Sequence, residues 1–348
     1  MTNNFYNNSV STTAYNLAME LPAANNRPLK FHNACGKEVT EIPDFYTFIK
    51  IKLDEYIKAV NCIDPEDAKD ALSHFSKVLF RSEFPELKDL AQICKIVRHL
   101  SLEALDYALR GDLINAGLTL RRMLWEDSFE KYFSESVNLF FLLSIIIEPD
   151  DTFFRVRDIN KEETATDCWH VPYEIRHLAW SGRFGMSGFP TFYLVDSLDA
   201  ACYEVGSIGK GKERWYSTFN AKPGCSPMVL DLTIPTPDEL KVMSPSSHID
   251  FIMSYPMRLL CTIKASHSGC ANSIEYIFAQ ILMHTLVHQS SAYNHYGIRY
   301  TSTKCKKCKC LAIPAIMTGR EPQSSGYSRI ITDNWIASTP KKLSQSAE

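Results

Sequence analysis

The chain has 348 residues, of which 45% are hydrophobic and 22% are charged, a composition that can fill a core and excludes collagen-like, coiled-coil, low-complexity and wholly disordered classes. The 37 lysines and arginines against 40 aspartates and glutamates give a formal net charge of −3, so nothing global favours nucleic acid or an anionic membrane as a partner. The length suits about two domains.

The amino-acid composition and the spacing of apolar residues change near residue 40. Residues 1–40 are rich in Asn, Ser, Thr and Ala without a clear apolar period, so we expect a mobile tail there. In residues 41–148 apolar side chains recur at three- and four-residue spacing and glycine is scarce, which predicts an all-helical domain. The longest apolar run, Val137–Ile147, is too short to cross a membrane and predicts a buried helix.

Short β-type runs bounded by Gly, Pro, Asn and Asp begin after residue 148 and indicate a mixed α/β domain over residues 149–336. We expect a frayed tail over residues 337–348. The predicted fold class is therefore α+β, with an N-terminal all-helical domain followed by a mixed domain. The N-terminus lacks a signal-peptide pattern and the eleven cysteines are too sparse for a disulfide scaffold, so we expect reduced thiols in a cytoplasmic protein.

The most metal-like element is the cluster Cys305, Cys308 and Cys310. A Cys-x2-Cys pair needs a second pair of ligands to complete a tetrahedron around zinc, and His267 and Cys270 are the candidates in the sequence. Because this second pair is not a clean one, we expect no metal, and zinc binding by these cysteines stays an open alternative.

A glycine-punctuated loop with Arg183 precedes a short predicted strand with Tyr193, and a predicted helix with Glu204 follows. Glu204 lies in an otherwise apolar stretch, where a carboxylate is costly to bury unless it is paired or used in chemistry. From spacing alone, a structural salt bridge and a functional carboxylate are both open.

Several segments resemble the RES domain, a family named for an arginine, a glutamate and a serine that occur in this order. In this chain Arg155, Glu204 and Ser302 occupy those places. The resemblance covers roughly residues 150–320. The segments that carry it are Phe153–Arg157, Trp169–Arg176, Gly182–Leu194, Glu275–Gln280 and Tyr300–Ser302.

The resemblance implies a fold similar to the ADP-ribosyltransferase toxins and an activity that consumes NAD, as in toxins of Xre-RES toxin–antitoxin pairs. Arg155 and Arg183, with Arg157 in support, are then expected to bind the diphosphate of NAD, because a guanidinium makes bidentate hydrogen bonds to such oxygens. Tyr193 is expected to stack on nicotinamide or cap the ribose. Glu204 would stabilise the positive charge that develops on the ribose, and Ser302 would be a catalytic positioning group.

These expectations describe an NAD glycohydrolase or phosphorylase acting as a bacterial toxin or phage-defence effector. Two alternatives stay open: a protein ADP-ribosyltransferase that uses the same site, and a non-catalytic interaction protein with a cysteine knuckle. The expected partners are NAD and an antitoxin or regulatory protein, with homo-oligomerisation open and with no nucleic acid and no membrane. No sequence feature assigns a role to the helical domain.

Overall fold

A computed structural model describes residues 8–23, 30–32, 38–40, 44–73, 86–125, 138–160, 168–263, 273–293, 295–305, 307–315, 326 and 329–343. It contains helices and a mixed sheet. Contacts divide the chain into two compact units. Unit 1 comprises Met1–Leu143 and Ile234–Thr285, and unit 2 comprises Ser144–Thr233 and Leu286–Glu348.

The helices, in chain order, are α1 (Ser9–Ala23), α2 (Phe45–Asn61), α3 (Pro65–Ser73), α4 (Leu87–Leu109), α5 (Leu113–Trp125), α6 (Leu139–Leu142), α7 (Leu198–Val205), α8 (Pro237–Val242), α9 (Pro245–Thr262), α10 (Ile277–Tyr293) and α11 (Arg329–Asn334). Among the described residues, short 3₁₀ helices cover Tyr173–Leu178 and Ile274–Tyr276. None of the helices within the described ranges combines the length and apolar character required to cross a bilayer.

The strands, in chain order, are β1 (Lys30–His32), β2 (Glu38–Thr40), β3 (Ser144–Ile146), β4 (Phe153–Asn160), β5 (Thr191–Val195), β6 (Lys212–Ala221), β7 (Met228–Leu232), β8 (His295–Thr301), β9 (Lys309–Pro314), β10 (Trp335–Ala337) and β11 (Lys341–Lys342). Strands β1 and β2 pair antiparallel with each other.

Side-chain caps define where several helices begin. The Asp44 carboxylate accepts a hydrogen bond from the backbone N–H of Thr47 at 3.0 Å, at the start of α2. Ser197, Thr236 and Ser244 cap α7, α8 and α9 in the same way. Each cap satisfies a backbone donor that the first helical turn leaves without a partner, which is why these short polar residues precede the helices.

Unit 1 is built around α9, which lies against α1, α3 and α4. Nearly the whole of α9 is buried. The Tyr56 hydroxyl of α2 donates to the Ile252 carbonyl of α9 at 3.0 Å, and the Tyr56 ring stacks on Tyr255 at 5.0 Å. The apolar side chains of α9 are thereby removed from water by the helices around it.

The structure corrects three parts of the predicted organisation. Helix α1 lies inside the stretch predicted as a mobile tail, and its Val10, Ala14 and Leu21 are fully buried at helical spacing. The Ser, Thr and Asn residues that dominate the composition have lower helix propensity and conceal that period. Residues 234–285 belong with the helical unit, so the division differs from the predicted boundary at 148/149. Strand β11 pairs with β6 within the segment predicted to be frayed.

The apolar run Val137–Ile147 is also not one buried helix. Its described residues form the four-residue α6, which ends near Leu143, and then β3, which pairs antiparallel with β7. Asn138 caps α6 by accepting from the backbone N–H of Phe141 at 2.8 Å. Pairing with a distant strand overrides the local helical tendency of this run.

In unit 2 the described strands β3 to β11 form one sheet, in the order β10-β6-β4-β5-β9-β8-β7-β3, with β11 also paired to β6. Neighbours are antiparallel except β7 and β8, which are parallel. One face, which we call the aromatic face, carries Ile147, Phe153, Cys168, Phe192, Leu194, Phe219, Ala221, Val229, Leu311, Ile313, Ile331 and Trp335. The other, the α7 face, carries Val156, Val195, Cys308 and Cys310 packed with Ala200 and Ala201 of α7.

A buried ion pair fastens α7 to the sheet. The Arg214 guanidinium on β6 makes two bonds to the Asp158 carboxylate on β4, at 2.7 and 2.9 Å. It also donates to the backbone carbonyl of Gly206 at 2.7 Å and to that of Cys202 at 3.5 Å. These carbonyls belong to the C-terminal turn of α7, where a cation is stabilised by the helix dipole.

Replacing Arg214 with methionine should destabilise the protein by about 3–5 kcal/mol, because the Asp158 carboxylate would stay buried without its partner. Urea unfolding followed by circular dichroism measures this change. Arg110→Met is the matched control, since Arg110 pairs with Asp106 on an exposed helix surface. Equal losses in the two variants would contradict the structural role given to Arg214.

Asp250 is a partly buried acidic side chain on α9, and its Oδ1 is shielded from solvent. Its Oδ1 has no hydrogen-bond partner in the part of the chain that the structure describes. Burial raises the pKa of Asp250 to about 7, and the positive charge of Arg258 opposes this shift. Because the pKa in the folded state lies above the unfolded value of 3.8, the folded state binds this proton more tightly.

The protonated Asp250 carboxyl should therefore contribute its full share to the free energy of unfolding below about pH 4, and this share should be lost as the pH rises through about 7. Asp250→Asn removes this dependence, so its stability relative to wild type should be higher at pH 8 than at pH 5. Urea unfolding at both pH values tests this, with the exposed Asp238→Asn as the control. A difference between Asp250→Asn and wild type that does not vary with pH would refute it.

Candidate functional site

Glu204 is placed by a strand–helix unit. Strand β5 ends at Val195, and Ser197 then starts α7 by accepting from the backbone N–H of Ala200 at 3.3 Å. Glu204 lies in the last turn of this eight-residue helix, which ends at Gly206 with φ +85°. A positive φ is accessible to glycine at little cost, so the helix stops directly after the carboxylate. The Arg214 bonds then fix that last turn against the sheet.

Ser302, at the end of β8, is the direct partner of this carboxylate. Its hydroxyl donates a hydrogen bond to Glu204 Oε1 across 98 positions of sequence. The same hydroxyl oxygen accepts from the backbone N–H groups of Lys304 and Cys305 at 3.0 and 2.9 Å. A serine hydroxyl has one proton and two lone pairs, so these three bonds use its full capacity and direct the proton at Glu204. Ser302 is 3% exposed, which keeps water from competing.

Lys304 is a second neighbour of the carboxylate, and the sequence analysis missed it. Its ammonium donates to the backbone carbonyl of Glu204 at 2.5 Å and lies 3.7 Å from Glu204 Oε2. Both side chains are partly exposed. The only signal in the sequence is that a lysine follows two residues after Ser302, and lysine is common in exposed loops. The contact depends on a helix and a loop that are far apart in the chain.

The loop that carries Arg183 lies against β5. The Tyr193 hydroxyl accepts from the backbone N–H of Phe184 at 3.2 Å. A Cβ atom on Gly182 would lie 2.9 Å from the Tyr193 hydroxyl oxygen, and one on Gly185 would lie 2.8 Å from Thr191 Oγ1. Only glycine allows so close an approach of the loop to the strand. This packing leaves Arg183 8% exposed beside the strand.

Tyr300 is a buried phenol on which several of these groups act electrostatically. Burial raises the pKa of Tyr300 well above its usual value; Cys310, Tyr193 and the Glu204 carboxylate raise it further and Arg183 opposes them. The Phe184 ring packs on the Tyr300 ring at 4.8 Å. Three of the predicted site residues, Arg183, Tyr193 and Glu204, therefore act electrostatically on the buried Tyr300 phenol. Ser302, a fourth predicted residue, is hydrogen-bonded to Glu204.

Arg155 and Arg157 are not brought to this cluster by the described contacts. Arg155 lies with its guanidinium 5.1 Å from the centre of the Phe192 ring, on the aromatic face. Arg157 donates to the backbone carbonyl of Trp169, whose ring packs on Phe192. Side chains alternate along a strand, and the intervening Val156 packs on the α7 face. The expectation that Arg155 shares one pocket with Glu204 and Ser302 is corrected accordingly.

The cysteine cluster also differs from the expectation of reduced thiols. Cys305 and Cys308 form a disulfide, with their Cα atoms 5.4 Å apart. Cys310 is buried, and burial raises the pKa of its thiol to about 12. Within the described ranges no group of three or more His, Cys, Asp or Glu residues is placed to hold a metal ion. His267 and Cys270, the second zinc pair considered from sequence, lie outside those ranges.

No protein-family model matches the chain. The chain is similar to a protein of Bacillus subtilis (strain 168) named "Putative toxin YopC", with 26% identical residues over 236 residues. The similar region covers 62% of this chain and 52% of the relative, so the chain spans about half the length of the curated relative that it matches.

Proposed function

We propose that this protein is a toxin that consumes NAD by cleaving the bond between nicotinamide and ribose. The observation that carries the proposal is the hydrogen bond from the Ser302 hydroxyl to Glu204 Oε1. It holds in one orientation a carboxylate that acts on the same buried phenol, Tyr300, as Arg183 and Tyr193. The carboxylate is 31% exposed, so it can meet a ligand while Ser302 holds one of its oxygens.

The proposed roles follow from the chemistry of these side chains. When the bond between ribose C1′ and the nicotinamide nitrogen breaks, the electron pair leaves with nicotinamide and positive charge develops on the ribose. A fixed Glu204 carboxylate stabilises that charge, and it does so best when its orientation is set before the reaction. Arg183 binds a diphosphate oxygen pair through its guanidinium, and Tyr193 contacts the ribose or nicotinamide. An oxygen nucleophile, water or phosphate, then bonds to C1′.

Arg155 and Arg157 have a different place in this proposal. Their contacts with Phe192 and with the Trp169 carbonyl support the aromatic face, so they stabilise β4 and the segment packed on it. The diphosphate is assigned to Arg183 because Arg183 acts on the same buried Tyr300 phenol as Glu204.

The toxin role is supported by the likeness to the Bacillus subtilis protein, whose name calls it a toxin. That likeness covers about half of the relative, so the reaction is inferred from the side chains of this chain. The resemblance of several segments of this chain to the RES domain points to NAD as the substrate.

Transfer of ADP-ribose to a protein is the second candidate function. Trp180 and Phe189, which flank the loop that carries Arg183, are 83% and 64% exposed. Exposed aromatic side chains favour contact with a protein surface. Incubation with NAD labelled in its ADP-ribose part separates the two candidates: free ADP-ribose or its phosphorylated form supports NAD destruction, and label on protein supports transfer.

Glu204→Gln should lower kcat for NAD consumption by about 100-fold or more, because the amide carries no charge to stabilise the ribose cation. The measurement is nicotinamide release by purified protein, together with a thermal melt to show that the variant folds. Glu213→Gln is the matched control, since Glu213 on β6 pairs with Lys342 of β11. Full activity of Glu204→Gln would refute the role of the carboxylate.

Arg183→Lys should raise KM for NAD by about 10-fold, because lysine cannot reproduce a bidentate contact with the diphosphate. The steady-state rate at varied NAD concentration gives kcat and KM separately. Arg110→Lys, on the exposed surface of unit 1, is the control. A KM that is equal in Arg183→Lys and wild type would assign the diphosphate to another residue.

A further inference from the structure

The loop that follows Ser302 contains the disulfide between Cys305 and Cys308. This loop connects the end of β8 to the start of β9, its antiparallel neighbour. It begins directly after Ser302 and therefore lies beside the Glu204 carboxylate. The disulfide plays no part in the chemistry proposed above, and its position raises the question of what it does.

Backbone bonds tie Ser302 to both cysteines. The Ser302 N–H donates to the Cys308 carbonyl at 2.9 Å, and the Cys308 N–H donates to the Cys305 carbonyl at 3.0 Å. The Cys305 N–H in turn donates to the Ser302 hydroxyl oxygen at 2.9 Å. The disulfide thus joins the two residues that bind Ser302 through their backbone: Cys308 through its carbonyl and Cys305 through its N–H.

The orientation of the Ser302 proton depends on this arrangement. While the N–H groups of Lys304 and Cys305 occupy the lone pairs of the hydroxyl oxygen, its proton is directed at Glu204. If the loop loosens, those two acceptor bonds weaken and the hydroxyl can rotate away from the carboxylate. Lys304, on the same loop, would also move from the Glu204 carbonyl.

We propose that Cys305 and Cys308 form a thiol–disulfide exchange site that regulates the carboxylate: the disulfide form holds Ser302 on Glu204 and is active, and the dithiol form is slower. This inference rests on the proposed function for its effect on NAD and on the loop contacts alone for its effect on Ser302.

The surroundings of the pair suit exchange with an external dithiol. Cys305 is partly exposed, whereas Cys308 is 9% exposed, so an attacking thiolate reaches the Cys305 sulfur first. The exposed Lys304 and Lys307 place positive charge beside the pair, which favours a thiolate leaving group. Cys310 is buried and its pKa is raised to about 12, so it stays a thiol near neutral pH and does not compete.

The reduction is a two-electron step with a dithiol as the reductant. One thiolate of the reductant bonds to the Cys305 sulfur, the bond between the two cysteine sulfurs breaks, and Cys308 leaves as a thiolate that takes up a proton. The second thiolate of the reductant then attacks its own sulfur in the mixed disulfide, and Cys305 leaves and is protonated. The products are two cysteine thiols and the cyclic disulfide of the reductant.

The test compares full-length protein in its disulfide form with protein reduced by dithiothreitol. Alkylation and mass spectrometry report the state of Cys305 and Cys308, nicotinamide release gives kcat and KM, and hydrogen exchange reports the amides of Lys304 and Cys305. The Cys305→Ser, Cys308→Ser double variant represents the form without the bond. Cys62→Ser is the control, since Cys62 is an exposed free cysteine of unit 1.

We expect reduction to lower kcat by about 3- to 10-fold, the effect of losing one hydrogen bond in the site, with a smaller change in KM. Exchange of the two amides should become faster in the same sample, the double variant should be slow in both buffers, and Cys62→Ser should respond like wild type. If NAD is consumed and kcat is equal or higher after reduction, the proposal is overturned.

If neither form consumes NAD, the proposed function fails and the exchange data decide the loop contact separately. Faster exchange at Lys304 and Cys305 after reduction then supports the control of Ser302 by the disulfide. Unchanged exchange overturns it.

Discussion

The hydrogen bond between Ser302 and Glu204 is the constraint on which the candidate site depends. It joins the end of β8 to the last turn of α7, two elements that are 98 residues apart at these positions. Neither residue is notable alone, since serine at a strand end and glutamate on a short helix are both ordinary. Their hydrogen bond gives the Glu204 carboxylate a defined orientation, and Lys304 adds a positive charge beside it.

That bond is possible because a buried ion pair fixes where α7 ends. Arg214 joins β4 and β6 through Asp158 and at the same time binds two carbonyls at the end of the helix. The Arg214 guanidinium therefore fixes the position of the turn that carries Glu204 relative to the sheet. The glycines of the Arg183 loop act in a similar way at β5, because they permit contact with Tyr193 that a Cβ would prevent.

Part of the site could be predicted from sequence. The glycine loop, the strand with Tyr193 and the helix with Glu204 are adjacent in the chain, and in the structure Arg183, Tyr193 and Glu204 all act electrostatically on Tyr300. Their roles in a functional site stay predictions. Arg155 could not be placed, because the face on which a strand residue lies depends on the pairing register, and a shift of one residue reverses it. The contact of Lys304 and the bond between Cys305 and Cys308 likewise depend on the loop geometry.

Apolar spacing along the chain predicts helices in its first part and short strands in its second, because this spacing records which face of each element is buried. The fold adds three features that this spacing does not contain: residues 234–285 join the helical unit, α1 is a buried helix, and Arg155 lies on the face of the sheet opposite to α7. Spacing describes neighbours along the chain, whereas these outcomes depend on contacts between segments far apart in sequence.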